Sequence, residues 1–166
     1  MSRRYPDVER HLVLSEAAKR TIEYELGRSA QDVERLASVA HRHENVGAAI
    51  ASGTFVTCGM VVAPCSIRTL SGIATSYNDS LVTRAADVCL KERRRLVLVV
   101  RETPLHLNHL RLMAQVTEAG AIVAPPSPSF YHRPRTIDAV VDHTIVKVLD
   151  LFGFHVDDLI ERWSGL

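Results

Sequence analysis

The chain of 166 residues lacks the features that mark several common functional classes. Its three cysteines, Cys58, Cys65 and Cys89, have no CxxC spacing and cannot all pair within one chain, so we expect a reduced, cytoplasmic setting. No apolar run approaches the roughly 20 residues that cross a bilayer, so no membrane span is expected. The formal net charge is only +1, which gives no electrostatic reason to expect binding to nucleic acid.

Familiar catalytic and nucleotide-binding motifs are also missing. There is no GxGxxG, GxxxxGKS or GxxxxGKT string, so neither a dinucleotide site nor a P-loop is indicated. A Ser-His-Asp hydrolase of the α/β type would need a GxSxG elbow, which the sequence does not contain. The histidine pairs His41/His43 and His106/His109 lack the further ligands that a zinc or iron site needs, so we expect no metal.

Short apolar runs recur along the chain, and we expect residues 1–166 to form one α/β domain with a real core. Four of these runs are predicted strands: 11–14, 59–63, 96–100 and 121–124. Pro64 is expected to end the second strand. The third run is apolar on both faces, which is typical of a strand buried between two layers of helices.

Helical patterns alternate with the strands, at 15–26, 29–37, 66–77, 79–94, 105–119 and 137–152. The stretch 38–54 has no clear periodicity and is predicted to be mostly loop with one helical turn. The last helix is expected to show one broad apolar stripe formed by Ile137, Val140, Val141, Ile145, Val148, Leu149 and Phe152. Strand–helix alternation of this kind predicts a doubly wound parallel sheet.

Polar side chains follow each predicted strand at the point where it ends. Ser15 follows the first strand, Ser66 and Thr69 the second, Arg101 and Glu102 the third, and Tyr131 the fourth. The carboxyl ends of parallel strands lie on one edge of a sheet, where open α/β proteins bind their ligands. The sequence therefore predicts a site along that edge.

Each of these side chains also has a purely structural interpretation. The turn from Ser66 to Thr69 opens a helix, so it either binds an anion or serves only as an N-cap. Arg101 either holds a phosphate or carboxylate, or pairs internally with Glu102. Tyr131 is either a ligand contact or a packed loop aromatic. Lys91 belongs to a basic helix end that is usually just solvated.

The strings HLVLSEAA, SGTF, GMVVAPCSIRTLSGIA, LVTRAADVCLKERRRLVLVVRETPLHLNHLRLM, GAIVAPPSPSFYHRP and the closing RW resemble one known family. This is the family of bacterial flavin prenyltransferases, UbiX, which includes the small flavoprotein subunits of hydroxyarylic acid decarboxylases. The resemblance runs from about His11 to Trp163. The strings TRAADVxLKERR, RETPLH and FYHRP carry most of its specificity.

The resemblance implies a flavodoxin-like fold with three α/β/α layers, assembled as trimers of trimers or dodecamers with active sites between subunits. It implies transfer of a dimethylallyl group from dimethylallyl monophosphate to N5 and C6 of reduced FMN, without a metal. The prenylated FMN would pass to a UbiD-type decarboxylase. One alternative is a non-catalytic, FMN-binding accessory subunit of a hydroxyarylic acid decarboxylase. Another, less expected, is a peptidyl-cysteine decarboxylase of the same fold class.

The resemblance also implies roles for individual residues. It assigns FMN contacts to Ser15, Ser66, Ile67, Arg68, Thr69 and Arg101. It assigns contacts to the dimethylallyl phosphate to Tyr131, Lys147, Arg84 and Lys91, some of them reaching in from a neighbouring copy of the chain. It assigns catalytic roles to Glu25, Lys91 and Glu102, with Glu25 handling a proton, and it places Trp163 at the wall of the pocket. The family often has arginine at position 147, and lysine keeps the charge but not the bidentate fork, so a weaker hold on phosphate is expected.

One part of the family pattern has no match in the sequence. Family members begin with an apolar strand and a G-x-S/T-G-A loop that touches the flavin, whereas residues 1–10 read as a divergent leader. In a flavodoxin-like order that first strand is central, so without it two strand edges inside the sheet would be unpaired. We expect weaker FMN binding and lower stability from a chain without this strand.

Overall fold

A computed structural model describes residues 5–163 and residue 165. The strands are β1 His11–Val13, β2 Val39–His41, β3 Gly59–Cys65, β4 Arg95–Val100 and β5 Ile122–Val123. The helices are α1 Glu16–Leu26, α2 Ala30–Glu34, α3 Ile67–Ala74, α4 Leu81–Lys91, α5 Leu107–Glu118 and α6 Ile137–Asp150, with a 3-10 turn at Ala49–Ala51. The four predicted strands and the six predicted helices all form, with their ends moved by a few residues.

The prediction of loop for 38–54 is wrong at one point, because β2 lies inside that stretch. It pairs in parallel with β1, with His11 opposite Val39 and Val13 opposite His41. A strand of three residues is too short to show a period in the sequence. Its conformation is set by pairing with β1 instead.

The prediction that Pro64 ends the second strand is also wrong. β3 continues to Cys65, which lies opposite Val100 of β4, and the register shifts between Val62 and Cys65. Proline has no N–H to give to the ladder, so the chain makes an irregular step there and then resumes pairing. Proline therefore interrupts this strand without terminating it.

All the strand pairs are parallel, as predicted for an α/β fold. One sheet has the order β3-β4-β5 and the other consists of β1 and β2. Within the described part of the chain, no backbone ladder joins the two sheets. In the described part of the chain, β1, β2, β3 and β5 therefore each pair on one side only.

Strand β4 lies in the middle of the larger sheet, and its residues alternate between two helical layers. Leu96 and Leu98 pack in a core cluster with residues of α3, α4 and α5. Val97 and Val99 face the other way and pack against Val148 of α6. This arrangement explains why the run is apolar on both faces, and it makes the β3-β4-β5 part of the protein three-layered.

The apolar stripe predicted on α6 meets the sheet only at its carboxyl end. Val148 is buried with Val97 and Val99 of β4, and Phe152, just after the helix, packs against the same cluster. Ile137, Val141 and Ile145 lie on the same stripe but are exposed. Position along the helix therefore decides which part of the stripe is buried, and a sequence period by itself does not specify that position.

The structure bears on the cysteines and on membrane insertion as well. All three cysteines are free thiols, with Cys65 and Cys89 buried, and burial raises the pKa of the Cys65 thiol to about 12. Across residues 5–163, none of the helices combines the length and the apolar character needed to span a membrane.

Candidate active site at the carboxyl ends of the strands

The carboxyl ends of β3 and β4 meet, as the sequence predicts. The backbone N–H of Arg101 donates a hydrogen bond to the carbonyl of Cys65 over 3.3 Å. Ser66 follows Cys65 directly, so the turn that opens α3 and the arginine that follows β4 lie at the same corner of the sheet. Arg101 and Ser66 are both exposed there.

Ser66 caps α3 and leaves part of the first turn open to a ligand. Its hydroxyl accepts a hydrogen bond from the Thr69 backbone N–H at 3.3 Å, and the two hydroxyl oxygens are 3.1 Å apart. The amides of Ile67 and Arg68 lie in the first turn, where an α-helix has no acceptor of its own for them. Capping and anion binding therefore use different groups of this turn, and the positive end of the helix dipole favours an anion beside it.

Arg101 does not form the internal ion pair that was its structural alternative. The Glu102 carboxylate accepts a hydrogen bond from the Thr103 backbone N–H at 3.1 Å. Across residues 5–163, no carboxylate lies within ion-pair distance of Arg101. Arg68 differs, because its guanidinium pairs with Asp79 at 3.1 Å. Arg101 therefore carries an unneutralised charge at the corner of the sheet where α3 begins.

Ser15 and Glu25 lie at opposite ends of α1. The Ser15 hydroxyl caps the helix by accepting from the Ala18 backbone N–H at 3.1 Å. Glu25 is exposed in the last turn, just before Gly27, which ends the helix with a φ of 60°. Ten residues of helix separate the two side chains by about 15 Å. Within one chain, Glu25 is therefore not adjacent to Ser15.

Lys91 lies near the amino end of β4, whereas Arg101 follows its carboxyl end. Lys91 is the last residue of α4, four positions before β4 begins at Arg95. Strand β4 has six residues, which span about 20 Å at about 3.3 Å each. Arg84, further up the same helix, pairs with Asp87 at 3.3 Å. A single chain does not bring Lys91 to the Ser66–Arg101 corner.

The surroundings of Lys91 include Gly53 of the SGTF string. The Lys91 ammonium pairs with the neighbouring Glu92 carboxylate. Gly53 lies against the ends of these two side chains, which a Cβ at that position would displace. The Arg94 guanidinium donates to the carbonyls of Gly53 and Phe55, at 2.7 Å to Phe55. The 53–55 segment is therefore tied to the end of α4.

Tyr131 and Lys147 belong to a second polar cluster, which involves the loop after β5 and helix α6. Tyr131 follows β5, and Lys147 lies on α6 with an exposed ammonium group. The Tyr131 hydroxyl is 3.5 Å from Nε2 of His143. The edge of the Trp163 ring also meets the Tyr131 ring, with centroids 6.4 Å apart at 87°. Trp163 therefore lies beside Tyr131.

His132 and His143 belong to this cluster and were missed by sequence reasoning. Their rings stack at 4.6 Å with an interplanar angle of 11°. Burial is the main cause that lowers the pKa of His143, and the charges of His132 and Lys147 lower it further. The spacing of His143 and Lys147 was an available signal, because residues four apart share a helix face. Across the described residues, no group of three metal-ligating side chains comes together.

The family model and the sequence relatives that match this chain agree on one family. A family model described as Flavoprotein matches residues 3–148. The chain is 57% identical over 158 residues to a protein from Thauera aromatica named flavin prenyltransferase UbiX, covering 95% of this chain and 81% of that protein. It is 56% identical over 160 residues to the protein of the same name from Escherichia coli K12, covering 96% and 85%.

Solved structures agree with the sequence relatives. A UbiX crystal structure, AnUbiX (PadA1) in complex with FMN and dimethylallyl pyrophosphate, superposes with a TM-score of 0.95 at 45% identity, covering 99% of this chain and 87% of that chain. A dodecameric FMN-dependent UbiX-like decarboxylase from Escherichia coli O157:H7 superposes with a TM-score of 0.94 at 49% identity, covering 99% and 87%. The flavodoxin-like α/β fold is thereby confirmed. On these matches, taken with the arrangement of the strand ends, the chain belongs to the flavoprotein family as a member of its UbiX flavin prenyltransferase group.

Proposed function

We propose that this chain is a flavin prenyltransferase that transfers a dimethylallyl group from dimethylallyl monophosphate to reduced FMN. Relatives named for this activity share more than half of its residues over nearly the whole chain. The observation that carries the proposal in the structure is the unpaired Arg101 at the corner of the sheet where α3 begins. We further propose that residues 1–166 act as one flavoprotein-type domain in a reduced, cytoplasmic setting.

The Ser66–Arg101 corner fits a phosphate-bearing flavin. Two hydroxyls 3.1 Å apart, free first-turn amides and an unneutralised guanidinium form a donor set suited to a phosphate. We propose that Ser66, Ile67, Arg68, Thr69 and Arg101 hold FMN here, with Ser15 as a further contact. When bound, reduced FMN supplies the N5 and C6 positions that receive the dimethylallyl group.

Tyr131 and Lys147 are proposed to hold the phosphate of dimethylallyl monophosphate. Phosphate becomes a good leaving group only when its developing charge is neutralised, and an exposed ammonium and a phenol hydroxyl provide that neutralisation. Trp163 beside Tyr131 supplies an apolar surface that keeps water from the allylic group. Lysine at position 147 gives one point charge where arginine would give a fork, so the hold on phosphate is weaker.

Lys91 requires an assembly to reach this site. Lys91 lies about one strand length from Arg101 in its own chain. We propose that Lys91 and Arg84 act on the site of a neighbouring copy in a trimer-based homo-oligomer, in line with the dodecamer formed by a relative. Glu25 is proposed to handle a proton and Glu102 to line the site. A UbiD-type decarboxylase is the proposed recipient of the product.

The test is anaerobic incubation of the purified protein with dithionite-reduced FMN and dimethylallyl monophosphate, followed by mass analysis of the flavin. Prenylated FMN from the wild-type chain and none from Tyr131→Phe/Lys147→Ala is the expected result. Arg111→Ala is the matched control, since Arg111 is exposed on α5 outside the proposed site. Bound FMN without product in the wild type would contradict the proposal and support the accessory-subunit alternative.

A further inference from the structure

The Tyr131 hydroxyl has a polar neighbour on α6 that no part of the proposed function uses. Nε2 of His143 lies 3.5 Å from the Tyr131 oxygen. The two rings meet edge to face, with centroids 6.2 Å apart at 86°. Tyr131 itself is 66% exposed, so little packing restrains its side chain. A hydrogen-bonding neighbour therefore has a large share in deciding where the hydroxyl points.

His143 is itself held by its surroundings. The His132 ring stacks on it at 4.6 Å and also meets the Tyr131 ring edge to face at 5.4 Å. Both ring nitrogens of His132 are buried without a hydrogen-bond partner, so His132 contributes by stacking and not by hydrogen bonding. His143 is half-buried on α6. Its ring is therefore a fixed support on which the exposed Tyr131 side chain rests.

The protonation state of His143 decides what it can do for Tyr131. The groups that face it are Tyr131 and His132 from the loop after β5 and Lys147 from its own helix. Burial first, and then the charges of His132 and Lys147, lower the pKa of His143. Near neutral pH the ring is therefore uncharged and carries one N–H, on either Nδ1 or Nε2.

The two tautomers have opposite consequences for the site. With the hydrogen on Nδ1, the Tyr131 O–H must donate to Nε2 and its hydrogen is used up. With the hydrogen on Nε2, His143 donates to the Tyr131 oxygen, and the tyrosine O–H is left to donate elsewhere. Lys147 lies four residues after His143, about 6 Å along the same helix face. An anion held by Lys147 is therefore the natural acceptor for that free O–H.

We propose that His143 is a positioning residue for Tyr131, donating from Nε2 to the tyrosine oxygen and thereby directing the O–H toward the substrate phosphate at Lys147. This inference rests on the proposed function and adds a residue to its phosphate site. His143 acts before the substrate arrives, by holding Tyr131 in the binding orientation. Its removal therefore weakens binding of dimethylallyl monophosphate more than it slows the chemical step.

Two variants separate the hydrogen bond from the packing. His143→Phe keeps a flat ring for His132 and Tyr131 but has no N–H. His143→Gln places an amide N–H close to the position of Nε2. His109→Phe is the control, because it alters a histidine on α5 whose ring lies 3.6 Å from the ring of His106, away from Tyr131. We expect KM for dimethylallyl monophosphate to rise about 3- to 10-fold in His143→Phe with kcat within about twofold, and to return to within about twofold in His143→Gln.

A spectroscopic readout tests the same contact without catalysis. Long-range ¹H–¹⁵N correlation of ¹⁵N-histidine-labelled protein reports which ring nitrogen of His143 carries the hydrogen. We expect a protonated Nε2 whose shift moves in Tyr131→Phe and not in His109→Phe. The proposal would be overturned if Nε2 carries no hydrogen, or if its chemical shift is the same in Tyr131→Phe as in the wild type. It would also be overturned if KM for dimethylallyl monophosphate in His143→Phe equals that of the wild type. If the wild type makes no prenylated FMN, the proposed function fails and the spectrum alone decides the role of His143.

Discussion

Replacing Arg101 with alanine removes an unpaired cation from the corner where β3 and β4 end. The guanidinium has no carboxylate partner in the described part of its own chain, so an FMN phosphate is its expected counter-ion. A hydrogen bond to a charged group contributes about 1.5–3 kcal/mol. Since about 1.4 kcal/mol corresponds to a factor of ten, we expect Kd for FMN to rise about 10- to 100-fold.

The Arg101→Ala change should leave the stability of the fold almost unaltered. Arg101 is exposed, and its backbone N–H, which bonds to Cys65, is kept in the variant. We therefore expect the free energy of unfolding to change by less than about 0.5 kcal/mol. Arg101→Lys should fall between wild type and Arg101→Ala, because lysine retains the charge but loses the fork.

The assay is titration of FMN fluorescence with each purified variant, with Arg111→Ala as the control for loss of an exposed arginine. The salt dependence of Kd should be smaller in Arg101→Ala than in the wild type, because one charge interaction is gone. If Arg101→Ala binds FMN within twofold of the wild type, the assignment of the phosphate to this corner is refuted.

Three further predictions concern the core, the C-terminal ion pairs and the substrate phosphate. Leu98→Ala should destabilise the fold by about 2–5 kcal/mol in urea denaturation, because Leu98 is fully buried in the main core. Hydrogen bonds from Arg162 at 2.8 and 2.9 Å, followed by one from His155, lower the pKa of the Asp150 carboxyl to about 2. The stability from Asp150 is therefore present above its unfolded pKa and lost as the pH falls toward about 2, a loss that Asp150→Asn should abolish in acid titrations followed by circular dichroism. Lys147→Arg should lower KM for dimethylallyl monophosphate about 2- to 10-fold in steady-state assays, since arginine restores the bidentate fork.

Each of these three predictions has a control variant or a result that would contradict it. Val61→Ala, at a position that is 44% exposed, should cost less than about 1 kcal/mol, and equal losses at Val61 and Leu98 would contradict the assignment of the core. If Asp150→Asn retains the full acid transition, the ion pair of Asp150 does not cause that transition. A KM that rises in Lys147→Arg would show that position 147 does not contact the phosphate.

Local patterns were sufficient where one segment determines its own structure. The run from Leu96 to Val100 formed a strand with two buried faces, because only a position between two layers removes all of those side chains from water. Ser66 formed a helix cap, because a short side-chain oxygen can satisfy a first-turn amide within its own segment. Both predictions depended on residues only a few positions apart.

Predictions failed where a distant segment decides the outcome. β2 is a three-residue strand that exists through its pairing with β1, and no periodicity marks it. The part of the α6 stripe that is buried follows from contact of Val148 with Val97 and Val99, which lie some 50 residues earlier in the chain. Neither contact is encoded in the local sequence of the element that it orders.

The family, the alternation of strands and helices, and the position of Ser66, Arg101 and Tyr131 after the ends of strands could all be predicted from the residues alone. Which side chains pair with each other could be learned only from the three-dimensional fold. The fold leaves Arg101 without Glu102 as a partner, places Lys91 at the amino end of the strands, and sets His143 against the Tyr131 hydroxyl. Chemistry at a site depends on distances of a few ångströms between segments, and those distances follow from how helices rotate and pack on the sheet.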